Sequence, residues 1–95
     1  MIFLDTETTG LETKDRICAL GIIEGESTHF ELINPGKKIP PAASAIHQIT
    51  NEMVSDAPSF SQSISAEKLK ILNTPETILV SHNAPFELVM LQKDF

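Results

Sequence analysis

Met1-Ile-Phe-Leu-Asp5-Thr-Glu7-Thr-Thr-Gly10 opens the chain as a short run of β-favouring apolar residues that passes into polar residues and stops at a glycine. The pattern reads as a buried strand ending in a turn, with its polar groups at the C-terminal end. Alternate side chains of a strand leave the same face, so Asp5 and Glu7 emerge together, roughly 6 to 7 Å apart along the chain. Two carboxylates so placed repel, and the repulsion is relieved when one takes up a proton or a divalent cation binds between them. All-oxygen ligation suits Mg²⁺ or Mn²⁺ far better than zinc. An isolated Asp-x-Glu is more commonly a pair of solvated strand-end acids. Here Thr8, Thr9 and Gly10 follow directly, and a glycine-ended turn of backbone N–H groups beside hydroxyls suits a phosphate or ribose next to a metal.

Outward from this stretch, the apolar run after Arg16, from Ile17 to Ile23, reads as a central strand, and Glu24-Gly25-Glu26 as a tight hairpin turn. Ser27 to Asn34 alternates, with Thr28, Phe30 and Leu32 on one face and His29, Glu31 and Ile33 on the other; His29, on the polar face, reads as solvated. Pro40-Pro41 predicts an extended connection from Lys37 to Pro41. Thr50 can cap a short helix through Val54, and Ser59 with Gln62 forms a capping-box pattern for a helix through Leu72, ended by Asn73-Thr-Pro75. Thr77 to Val80 is short and apolar, as strands of a parallel pair are. Pro85 to Leu91 predicts a mostly buried helix. The order βββ, helices, β, helix places the chain in the α/β class, with a mixed sheet and flanking helices.

Length and charge bound the function. Ninety-five residues allow one domain at most. A formal charge of −6 disfavours a basic patch that attracts nucleic acid from a distance, so any phosphate ligand needs positive charge from another source. Cys18 is the single cysteine, which excludes an internal disulfide and a multi-cysteine zinc site. No apolar run approaches the roughly 20 residues of a membrane span, and an acid at position 5 does not fit a secretory leader. The expectation is a cytoplasmic protein without membrane association.

Three ordered segments together resemble one family. Asp5-Thr6-Glu7-Thr8-Thr9-Gly10-Leu11 after an apolar strand resembles the first motif of the DnaQ-like, or DEDD, 3'-5' exonucleases. Asn34-Pro35 and the run Ala45-Ile46-His47-Gln48-Ile49-Thr50 resemble the family's His-x-Ile-Thr connection. Ser81-His82-Asn83-Ala84-Pro85-Phe86-Glu87 resembles its second motif, usually His-Asn-Ala-x-Phe-Asp. The similarity spans nearly the whole chain and leans toward the exonuclease X and polymerase III epsilon-type branches.

The resemblance implies a ribonuclease H-like fold and removal of nucleotides from DNA ends by two-metal phosphodiester hydrolysis, with RNA left open as substrate. It makes Asp5, Glu7 and Glu87 the catalytic and metal-holding acids, with two Mg²⁺ or Mn²⁺ ions as cofactors. Thr8, Thr9, Gly10, His47, Ile49, His82, Asn83 and Phe86 fall where the family holds its substrate. Glu87 stands where the motif has aspartate and has two readings: a ligand one methylene longer, or an acid at the positive end of a helix dipole. The third motif, a His followed five positions later by an Asp, belongs beyond Phe95. The chain is therefore expected to be the N-terminal part of a single exonuclease domain, cut before its last strand and helix. A homodimer covering the missing layer, a DNA polymerase or repair partner, and single-stranded DNA or 3' ends are the expected partners. The competing reading is an inactive remnant, or a binding or interaction domain of the same fold.

Overall fold

The opening alternation is realised as strand β1 (Ile2–Thr8), in which Ile2 and Leu4 are buried while Phe3 and Asp5 are exposed. The computed structural model describes residues 2–10, 12, 14–72 and 79–81. The helix expected over Pro85 to Leu91, and with it His82, Asn83, Phe86 and Glu87, lies outside the described residues, as does the stop signal Asn73-Thr-Pro75. Strands β2 (Ile17–Glu24) and β3 (Ser27–Leu32) form a hairpin through Gly25-Glu26. Gly25 has φ 59° at the first turn position, where a II′-type hairpin turn needs a residue without a Cβ penalty. Strand β4 (Leu79–Ser81) runs parallel to β1 on its other side, giving the order β3-β2-β1-β4.

Register assigns the two faces. Leu4 lies opposite Ile22 and Thr6 opposite Leu20, whereas Asp5 lies opposite Gly21 and Glu7 opposite Ala19, and directly opposed residues share a face. The pairing then shifts between Glu7 and Thr8, so that Thr8 opposes Ile17 and Cys18 is an extra residue in β2. A bulge of this kind turns two consecutive side chains out of strict alternation. Ile17 accordingly packs with Leu4, Leu20 and Phe60 on one face, while Cys18 and Ala19, both fully buried, pack with Ile39, Ala43, Ile49 and Val54 on the other.

The first face is covered by helix α3 (Ile64–Leu72) through Ala66 and Leu69, preceded by a 3-10 turn at Phe60–Gln62. We label the two shorter helices that precede it α1 (Pro41–His47) and α2 (Asn51–Val54). Pro41 enters α1 rather than extending the connection: it occupies the first turn, where its missing N–H has no helical partner to lose, and Pro40 is the extended residue before it. Thr50 caps α2 as expected, accepting from the Met53 N–H at 3.3 Å.

The start of α3 corrects the capping-box expectation. Ser59 makes no cap hydrogen bond and opens only the 3-10 turn; the cap is Ser63, whose hydroxyl oxygen accepts from the Ala66 N–H at 3.0 Å. A carboxylate from β3 supplies the rest. Glu31 accepts from the N–H groups of Ile64 (3.3 Å) and Ser65 (2.8 Å) and from the Ser65 hydroxyl (2.6 Å). Ser65 thereby gives its only hydroxyl hydrogen to Glu31, so His29 Nε2, 2.9 Å from the same oxygen, is the donor to it. His29 is thus a largely buried partner of α3 and not a solvated residue. The polar face of β3 is the packed one, and the aromatic Phe30 on its other face is 65% exposed. Fully burying an aliphatic side chain contributes about 1.5–3 kcal/mol, against about 0.5–2 kcal/mol for a cap. Several buried aliphatics hold α3 to the sheet; Glu31 sets where its first turn sits.

No helix among the described residues is long and apolar enough to cross a membrane. Burial acts to raise the Glu31 pKa, but hydrogen bonds from Ser65 and Ile64 and the nearby His29 together lower it below the ordinary 4.5. A lowered folded-state value means that stability from this group is complete above the unfolded value and is lost as pH falls through the folded one. Glu31→Gln is expected to cost about 1 to 2 kcal/mol near neutral pH. Urea unfolding should show that gap near pH 7 and its narrowing well below 4.5; equal midpoints at neutral pH would remove Glu31 from the account.

Candidate functional site

The C-terminal half of β1 brings Asp5 and Glu7 out on one face, Asp5 exposed and Glu7 half-buried. Directly across on β2 stand Gly21 and Ala19, the two smallest residues of that strand. Two carboxylates on one face suit a hard divalent cation, which also relieves their mutual repulsion. Among the described residues no third His, Cys, Asp or Glu joins them in a group able to hold a metal.

The turn that follows is held from within. Thr8 donates its hydroxyl hydrogen to the Gly10 carbonyl at 2.6 Å, closing the turn. Thr9 is 2% exposed; its hydroxyl donates to Asp15 Oδ1 (2.8 Å) and accepts from the Arg16 N–H (3.1 Å). Both threonine hydroxyl hydrogens are therefore engaged inside the protein. Gly10 owes its place to a close approach: a Cβ there would run into the Asp15 carboxylate.

Asp15 is a residue whose part sequence reading missed. It sits in the charged run Lys14-Asp15-Arg16, yet it is 6% exposed. Its carboxylate accepts from Thr9, from the Glu12 N–H at 3.0 Å and from Lys37 Nζ at 3.2 Å. Burial, the largest influence, acts to raise its pKa, and these hydrogen bonds with the Lys37 charge overcome it, leaving the group below its usual value. The sequence signal was an acid two residues before an apolar strand, with a lysine after the Asn34-Pro35-Gly36 break.

His47, at the end of α1, reaches the same turn from the other side. Its Nδ1 accepts from the Ile49 N–H at 3.1 Å, so the ring proton is on Nε2, which donates to the Thr8 carbonyl at 3.0 Å. Gln48 makes this possible by adopting φ 64°, ψ 12°, a left-handed cap that turns the chain back over the imidazole. Ile49 itself is buried in the Ala19–Val54 cluster, and its carbonyl accepts from Ser44 Oγ at 2.7 Å. The structure thus gathers Asp5, Glu7, Thr8, Thr9, Gly10 and His47 around the end of β1 and puts Ile49 in the core beneath them.

Cys18, the bulged residue, lies under this site with its sulfur 3.8 Å from His47 Nε2. Burial, followed by the Glu7 charge, pushes its thiol up to about 11.

Comparison with known proteins places this geometry in a wider set. Residues 2–95 match the family model described as Exonuclease. The chain is 38% identical over 102 residues to the DNA polymerase III subunit epsilon of Rickettsia prowazekii, covering 98% of this chain and 43% of that protein. It is 37% identical over 101 residues to a DNA polymerase III subunit epsilon-like protein of Rhodobacter capsulatus, covering 97% of this chain and 14% of that one. It superposes on exonuclease X, solved in complex with 5' overhanging duplex DNA, with TM-score 0.73 and 31% identity, over 94% of this chain and 52% of that structure. The chain therefore spans between 14% and 52% of the length of these relatives, and its mixed sheet is the ribonuclease H-like one expected from the motifs.

Two outcomes follow from the local geometry. Left-handed backbone costs a residue with a Cβ roughly 1–2 kcal/mol, so Gln48→Gly is expected to stabilise the protein by about 1 kcal/mol in chemical denaturation. The Cys18 thiol, buried and protonated at neutral pH, is expected to resist a thiol reagent until the protein is unfolded in denaturant; rapid labelling of the folded protein would contradict its placement.

Proposed function

This chain belongs to the exonuclease family, and from that premise we propose that the protein carrying it removes nucleotides from the 3' ends of DNA by metal-dependent phosphodiester hydrolysis. The observation that supports the reading is the pair Asp5 and Glu7, on one face at the end of β1 opposite Gly21 and Ala19. These two carboxylates are the groups that would hold Mg²⁺ or Mn²⁺, two ions in this reading, with Glu87 as a further acid of the set. When bound, such ions ready a water for attack and stabilise the leaving 3' oxygen.

The chain's own residues have separable tasks. Asp5 and Glu7 present negative oxygen toward the cation side and, once neutralised by it, cease to repel the polyanionic substrate. Thr8, Thr9 and Gly10 form a turn whose hydroxyls are engaged internally, so its backbone is what it offers to a terminal nucleotide. His82, Asn83 and Phe86 complete the substrate side of the proposal. The chain forms the N-terminal part of one exonuclease domain, and a DNA polymerase is the partner to expect for a relative of proteins named as its subunits. RNA ends are the second substrate class to test.

The deciding experiment is release of mononucleotides from a 5'-labelled single-stranded DNA, and from the matching RNA, in the presence of Mn²⁺, for the natural protein and for Asp5→Ala. Single-nucleotide laddering that Asp5→Ala abolishes, with a loss of at least about a hundredfold, is the expected result. Unchanged laddering in Asp5→Ala would remove the carboxylate pair from the chemistry. Mn²⁺ binding without any cleavage would favour a cation-holding domain of this fold that performs no turnover.

A further inference from the structure

We propose that His47 is a positioning residue for the carboxylate pair: it pins the peptide joining Thr8 to Thr9 and so holds the end of β1 on which Glu7 stands. The inference rests on the hydrolase reading for its consequence, and on geometry alone for the pin.

The peptide is held at both edges. Its N–H, on Thr9, donates to the Arg16 carbonyl at 2.9 Å, back toward β2. In a trans peptide the C=O points the opposite way, so the Thr8 carbonyl is directed off the far edge of β1. Among the described residues, the parallel partner β4 pairs with Ile2, Phe3 and Leu4. His47 Nε2 takes the carbonyl at 3.0 Å, from a residue 39 positions away in sequence. An unpaired carbonyl beside a half-buried strand end would otherwise be free to rotate.

The position of the pin matters. The β1–β2 register shifts between Glu7 and Thr8, so regular pairing ceases to define the backbone at the residue that carries the second carboxylate. An imidazole fastened on its other side compensates. Nδ1 is held by the Ile49 N–H, Ile49 is buried in the Ala19–Val54 cluster, and the Ser44 hydroxyl holds the Ile49 carbonyl. With both ring nitrogens engaged in this way, the imidazole has no hydrogen-bonding group left to offer a bound nucleotide. Its influence on the reaction passes through the backbone.

Three substitutions separate this role from direct substrate contact. His47→Ala removes the donor; His47→Gln puts an amide N–H where Nε2 was; His47→Asn reaches only as far as Nδ1. Each protein is measured for exchange of the Thr9 amide hydrogen, for Mn²⁺ affinity by titration with the metal alone, and for kcat and KM of nucleotide release. The expected result is faster Thr9 exchange, Mn²⁺ affinity and kcat reduced about tenfold, and an almost unchanged KM in His47→Ala and His47→Asn, with most of each loss restored in His47→Gln. A raised KM with unaltered Thr9 exchange and Mn²⁺ affinity would overturn the proposal in favour of substrate contact. His47→Ala exchanging like the natural protein would overturn the pin itself. If the natural protein releases no nucleotides while Thr9 protection still depends on His47, the hydrolase reading fails and the pin stands.

Discussion

Everything in the described structure is arranged around the two-residue period of β1. Its buried face, Ile2 and Leu4, has to meet an apolar layer, and the 3-10 turn and α3 provide it. The same period sends Phe3, Asp5 and Glu7 to the opposite face, where an apolar cover would strand two charges. The fold resolves this conflict along the strand. Beneath its end, the segment from Ile39 to Val54 packs against Cys18 and Ala19, while Asp5 stays exposed and Glu7 half-buried.

The bulge at Cys18 is the device that permits this. Without it, strict alternation would put Cys18 on the α3 side and Ile17 beside Ala19 on the side of α1 and α2. With it, two adjacent residues face the short helices and β2 still delivers Ile17 to the other layer. The irregularity has a consequence at Glu7, where the ladder loses its regular register and other groups take over. Asp15 holds the turn from the β2 side through Thr9, and His47 holds it from the opposite edge through Thr8.

The electrostatics follow one rule in two settings. Asp15 is buried and Glu31 partly so, and each is surrounded by enough N–H and O–H donors to keep its charge despite burial. Asp5 and Glu7 stand at the surface side of the strand end, where a cation is the natural counter-charge. In the proposed function an acidic chain would serve a polyanionic substrate, its positive charge brought by the ions and not by Lys or Arg.

Local sequence determined the elements whose signal is periodic or stereochemical. The alternation of β1, the apolar run of β2, the Gly25 turn and the Thr50 cap could each be read from a few neighbouring residues, because each depends on side-chain period or on one backbone angle. The co-facial placement of Asp5 and Glu7 follows from the same period. Tertiary structure alone decided the rest. Whether His29 and Glu31 meet solvent or α3, where α3 begins, and which nitrogen of His47 carries its proton all depend on partners more than 25 residues distant or on a left-handed turn at a glutamine. Asp15 was illegible too, although its partners are nearer, Thr9 six and Lys37 22 residues away. A carboxylate in a run of charges looks solvated until the fold brings Thr9 and Lys37 to it, and hydrogen bonds across such separations leave no period in the sequence.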